Sequence, residues 1–112
     1  MKTSALINEI VDLYQKHGWQ LRRALLCPKT QMELATEPTI FSAVETKEAD
    51  VDAVWFSRPS HEGREAWELR LLAENPYALF ETFEVDESEE DREDVRHEME
   101  VRMREYSTKS DK

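Results

Sequence analysis

Residues 51–84 read VDAVWFSRPSHEGREAWELRLLAENPYALFETFE, and this stretch decides the fold. Val51-Asp52-Ala53-Val54-Trp55-Phe56 is rich in β-branched and aromatic side chains, the composition of a mostly buried strand over 51–57. Residues 65–73 alternate, with Trp67, Leu69 and Leu71 on one face. Residues 77–84 alternate again, Tyr77, Leu79 and Phe83 pointing one way and Ala78 and Phe80 the other. Pro59, Ser60 and Gly63 mark the first connection and Asn75-Pro76 the second. Three strands joined by short turns predict an antiparallel meander.

Upstream, Leu6, Ile7, Ile10, Val11 and Tyr14 recur at three- and four-residue spacing, which predicts an amphipathic helix over 4–17. Thr3 or Ser4 can cap its start, and Gly18 supplies a left-handed stop. Residues 19–27 follow as a strand. Trp19, Leu21, Arg23, Leu25 and Cys27 are expected on one face, with Gln20, Arg22, Ala24 and Leu26 on the other, so Arg22 and Arg23 should point apart. Pro28 ends the strand, and Thr30-Gln31-Met32-Glu33 has capping-box spacing for a short helical turn over 30–36. Residues 39–46 fit a helical turn or a strand. The strand reading is preferred because Lys47-Glu48-Ala49-Asp50 then forms a hairpin connection to 51–57.

Downstream of the meander, a helix is expected to start after Asp86 or Ser88. Glu89, Glu90 and Asp91 sit in its first turn and Arg102 and Arg104 near its end, the distribution a helix dipole favours. Glu98–Arg102 and Glu100–Arg104 have the spacing of helical ion pairs, and Val95, Met99, Met103 and Tyr106 form a narrow apolar stripe. The predicted class is α+β: an N-terminal helix, an antiparallel sheet of four to five strands and a C-terminal acidic helix. The expected organisation is one domain over 1–106 with a frayed tail over 107–112. Both helices are expected on the same face of the sheet.

The 112 residues are 39% hydrophobic and 36% charged, which suits one modest core and excludes a disordered chain, a collagen-like chain or a disulfide scaffold. The formal charge of −10 disfavours nucleic-acid backbones and anionic membrane surfaces, and it attracts basic proteins. It also serves solubility alone. Eight of the carboxylates fall within residues 84–94, against the single Arg92. Cys27 is the only cysteine, so no intramolecular disulfide can form, and neither a signal-peptide-like run nor a membrane-length apolar run is present. A cytoplasmic location is the expectation.

With glycine only at positions 18 and 63, neither GxGxxG nor a Walker loop can be written; CxxC, HExxH and GxSxG are also absent. His61-Glu62 opens like a zincin helix, but position 65 is Glu and the segment holds a proline and a glycine, so no metal or cofactor is expected. The same loop is nevertheless the chemically richest segment. His61 could act as a base oriented by Glu62 or Glu65, and Arg58, Arg64 and Arg70 could hold an anion. Against that stands a plain solvated hairpin loop with ion-paired arginines.

The aromatic residues support a different reading. Large apolar groups occupy both faces of several strands, and one sheet face carrying Trp55 and Trp67 is expected to remain open as a partner surface. The bland alternative is a curved sheet that closes over its own core. Together with the carboxylates of Glu87, Glu89, Glu90, Asp91, Glu93 and Asp94, this face leads to the preferred expectation of a non-catalytic protein-interaction module. Its partner would be a basic protein or a second copy of the chain. The alternatives are a small enzyme or anion-binding domain built on the His61 loop, and a nucleic-acid mimic.

Overall fold

The structure, a computed structural model, describes residues 3–35, 41 and 44–110. Helix α1 spans Thr3–Lys16, strand β1 Gln20–Leu26 and helix α2 Pro28–Leu34. Strands β2 (Glu45–Glu48), β3 (Ala53–Pro59), β4 (Glu65–Leu71) and β5 (Ala78–Phe83) follow, and helix α3 closes the chain at Glu89–Ser110. The fold is α+β. Its five strands are ordered β2-β1-β3-β4-β5, antiparallel except for the parallel β1–β2 pair.

The meander β3–β4–β5 forms as its alternation predicts. Its first connection is a tight turn at His61–Gly63, where Glu62 (φ 57°) and Gly63 (φ 80°) both adopt positive φ. Two such residues in succession give the twist that antiparallel neighbours favour. A Cβ on Gly63 would come within 2.9 Å of Val85 Cγ2, so packing as well as φ demands glycine there. Helix α1 ends on Gly18 (φ 89°), where Trp19 N–H donates to Tyr14 O and Gly18 N–H to Gln15 O, closing the carbonyls of the last turn.

Three expectations about the sheet are corrected. The expected 39–46/51–57 hairpin does not form: residues 39, 40, 42 and 43 lie outside the described residues, and β2, which spans the end of the expected strand and the start of the expected connection, pairs in parallel with β1. The chain therefore runs β1–α2–β2 and then crosses to the other side of β1. The capping box at Thr30 is also absent. Helix α2 starts at Pro28, and its first turn is capped from outside, Asp52 accepting from Cys27 N–H (2.7 Å) and Thr30 Oγ1 (2.6 Å). Finally, β1 does not alternate throughout. Leu21 pairs with Phe56 and Arg23 with Trp55, so Arg22 is the extra residue of a β-bulge. Trp19 and Leu21 join Ala24 and Leu26 on one face, while Arg23 and Leu25 face the other.

The helices do not share a face. Helices α1 and α2 cover one side of the sheet, with Ile7, Ile10, Val11 and Leu34 packed on Ala24, Leu26, Val54 and Phe56. Helix α3 covers the other, with Met99 and Met103 packed on Leu25, Trp55, Trp67, Leu69 and Phe83. Both faces are thereby buried, which accounts for apolar residues on both sides of β3. Trp55 is 0% exposed and Trp67 4%, so the expected open aromatic face lies under α3. Among the described residues the exposed large apolar side chains, Leu13, Met32, Phe80 and Val85, are scattered over the chain. Helix α3 also continues through the expected tail to Ser110. No helix among the described residues is long and apolar enough to cross a membrane.

Candidate functional site

The first half of α3 divides its charges between two faces. Ser88 starts the helix, its Oγ accepting from Asp91 N–H at 3.1 Å. Counting back from the buried stripe Tyr106, Met103 and Met99 in alternating steps of three and four residues reaches positions 96 and 92. Both are arginines, so cationic side chains occupy the places where a core-facing helix normally carries apolar ones. Extending the stripe in this way is the sequence signal that exposes them.

Arg96 is the most deeply placed. Its side chain is 2% exposed, and its guanidinium carbon stacks 3.9 Å from the Trp67 ring centroid. Nη1 donates to Glu89 (2.8 Å) and Glu93 (2.7 Å). Arg23, turned towards α3 by the bulge, makes a two-pronged pair with Glu93 at 3.1 and 3.0 Å, and Glu45 stands 3.7 Å away. Arg92 donates to Glu65 Oε1 (3.1 Å), an oxygen that also accepts from Trp67 Nε1 (3.0 Å). The hydrogen bond from Arg96 holds the Glu89 carboxyl below its ordinary range, and that from Arg23 does the same for Glu93. Burial works against the charge on Arg23, but Glu93 outweighs it and the guanidinium is raised overall.

These side chains border a cleft of about 580 Å³ lined by Arg22, Arg23, Arg92 and Arg96, by Glu45, Glu65 and Glu89, and by Leu21, Val44 and Trp67. Arg22 is exposed, lies 5.6 Å from the Trp67 centroid and makes no ion pair among the described residues. The Nε atoms of Arg92 and Arg96 are buried without a hydrogen-bond acceptor. The outer face of α3 is the reverse: Glu90, Asp91, Asp94 and Glu98 are exposed and make no ion pair among the described residues. The Glu98–Arg102 and Glu100–Arg104 pairs expected from spacing do not close; Glu100 instead accepts from Trp55 Nε1 at 2.9 Å.

The residues of the expected loop site are dispersed. His61 is exposed and makes no side-chain hydrogen bond among the described residues. Arg58 donates to His17 O (2.8 Å) and stacks on Trp19, while Arg64 pairs with Glu84 (3.0 Å) and Glu62 (3.4 Å). Arg70 lies on the α1 side of the sheet, beside a separate cleft with Glu9 and Glu74. Glu62 faces Arg64 rather than His61, so the acid–base pair is not assembled. Of the expected acidic partner surface, Glu89 and Glu93 turn to arginines and Glu87 accepts from Glu84 N–H, leaving Glu90, Asp91 and Asp94 open to solvent. Burial raises the Cys27 thiol, with Asp52 adding to the effect, which does not favour a reactive thiolate. Among the described residues no cluster of three or more His, Cys, Asp or Glu could hold a metal ion.

The chain matches no protein-family model, and comparison with the curated proteins and with the solved structures brings out no match.

Proposed function

We propose that this protein is a non-catalytic protein-interaction module that docks a basic protein on the outer face of α3. One observation carries the reading: Glu90, Asp94 and Glu98 form a row at four-residue spacing, exposed and without an ion pair among the described residues. Like charges at i,i+4 destabilise a helix by a few tenths of a kcal/mol per pair. The inner carboxylates avoid this cost by pairing with arginines, and the outer ones do not. A cationic surface laid along the row would offset it and be steered there by the chain's net charge of −10. Because Trp55 and Trp67 are buried, the docking surface consists of the helix alone. A second copy would present the same negative row and be repelled, so the reading favours a different protein as partner.

The test is affinity capture with the wild-type chain and with the triple variant Glu90→Lys/Asp94→Lys/Glu98→Lys, followed by association kinetics on the captured protein. The expected result is a stoichiometric basic partner that the variant fails to retain. Its association rate should fall about tenfold or more from low to high salt. Equal capture by the variant, or an association rate indifferent to salt, overturns the reading.

A further inference from the structure

We infer that the cleft between the β1 bulge, Trp67 of β4 and the first half of α3 binds the phosphoryl group of a small molecule. The inference is independent of the docking face, because it rests on the inner side of α3. Four guanidiniums border the cleft, and the carboxylates around them are already engaged. Glu93 accepts from Arg23 and Arg96, Glu89 from Arg96, and a single oxygen of Glu65 from both Arg92 and Trp67. The exposed Arg22 guanidinium is left over whole; the Nε–H groups of Arg92 and Arg96 also lack an acceptor, but they are buried, so an anion reaches them only as those side chains shift. Buried N–H groups without an acceptor are costly, and here they belong to cleft-lining side chains, one of them 98% buried.

The donors come from three separate guanidiniums on two elements. A carboxylate offers two oxygens in one plane, whereas a phosphoryl group offers three in different directions, and arginine binds either through paired N–H donors. The extra residue of the bulge matters here: it brings Arg22 to Trp67, the ring on which Arg96 also stacks. About 580 Å³ exceeds what a phosphoryl group fills and falls in the range of small-ligand sites, leaving room for the rest of a phosphorylated molecule in predominantly polar surroundings. Glu89, with its side chain 70% exposed, accepts from Arg96 and competes with the incoming anion for it.

The test is a nitrogen–proton NMR titration of the full chain with inorganic phosphate and, separately, with phenyl phosphate, against chloride at matched ionic strength. The reporters are the Trp67 indole N–H, whose acceptor Glu65 is shared with Arg92, and the Nε–H signals of Arg92 and Arg96. We expect saturable shifts of these signals with phosphate and none with chloride. Arg22→Gln, at an exposed position, should weaken binding about tenfold, the loss expected for charge-assisted hydrogen bonds. Glu89→Gln should strengthen it. Tighter binding of phenyl phosphate assigns the group to a phosphorylated small molecule. Binding of inorganic phosphate alone overturns that assignment in favour of the free ion. Silent reporters with both ligands, or unchanged affinity in Arg22→Gln, overturn the site itself.

Discussion

The two faces of the sheet are closed by different chemistry. On the α1 side the contact is mainly apolar, and its polar contacts are few and local: the Tyr14 hydroxyl donates to Glu68 while its ring stacks on Phe56 at 4.1 Å, Asp52 accepts from Thr30 and Cys27 N–H, and Arg58 donates to His17 O. Burial, reinforced by Glu68, raises the Tyr14 hydroxyl so that it stays protonated. On the α3 side, apolar packing by Met99 and Met103 seals only the second half of the helix, and arginine–glutamate pairs fasten the first. An apolar contact stabilises in proportion to buried area and is indifferent to pH, whereas a charged seam depends on the ionisation of every member and leaves space between its planar groups. The arginine-lined cleft lies on the charged side; a smaller one, of about 270 Å³, lies on the α1 side beside Arg70.

The comparison can be broken by three measurements. The largest effect is expected from Phe56→Ala, which empties a fully buried site beneath α1 and should cost about 4 kcal/mol in urea unfolding at any pH where the protein is folded. A loss below about 1 kcal/mol would mean that the α1 face is not a tightly packed core. Arg96→Ala should cost about 3 kcal/mol, because it removes both the stacking on Trp67 and the cation shared by Glu89 and Glu93. Arg96→Met should recover much of that loss, since an apolar side chain of similar length can fill the same space. Failure of Met to improve on Ala would locate the contribution of Arg96 in its charge alone.

The smallest effect is on acid stability. Glu89 and Glu93 titrate below the ordinary 4.5 in the folded chain, so their contribution is fully present above that value and is lost as pH falls through their depressed values. The unfolding midpoint should therefore decline on acidification more steeply in the wild type than in Glu89→Gln/Glu93→Gln, while Phe56→Ala keeps the wild-type slope. Parallel curves for the wild type and the double variant would show that the seam adds nothing to the pH response.

Much of the architecture is legible in the sequence because it is written in periodicity. Helix α1 and the three meander strands each carry an uninterrupted apolar pattern, and their observed bounds fall close to the expected ones. Strand β2 is not legible, since Glu-Thr-Lys-Glu offers no apolar residue; backbone pairing holds it, with ion pairs from Glu45 to Arg23 and from Lys47 to Glu100. The bulge is hidden for another reason: Arg22-Arg23 contains no glycine or proline to mark it, and the reversal shows only when the two strands are laid side by side. Arg92 and Arg96 hide the full length of the core-facing stripe of α3, because their charges make it look short in the sequence. The candidate site is hidden with it, because a cleft assembled from a bulge, a neighbouring strand and a buried arginine has no contiguous motif.

The parallel β1–β2 pair also ranks the steps by which the chain can assemble. The β3–β4–β5 meander joins segments separated by short turns, so its loop closures cost little conformational entropy. Strand β1 reaches β3 across a longer detour through α2 and β2, whereas the β1–β2 pairing (Arg23 with Glu45) closes a shorter loop than the β1–β3 pairing (Leu25 with Ala53), so β1 and β2 can close on each other before they join the meander. Without β2, β1, with its buried Ala24-Leu25-Leu26 segment, would itself be an open edge, and the four-residue charged strand that covers it leaves only exposed side chains on the outermost strand.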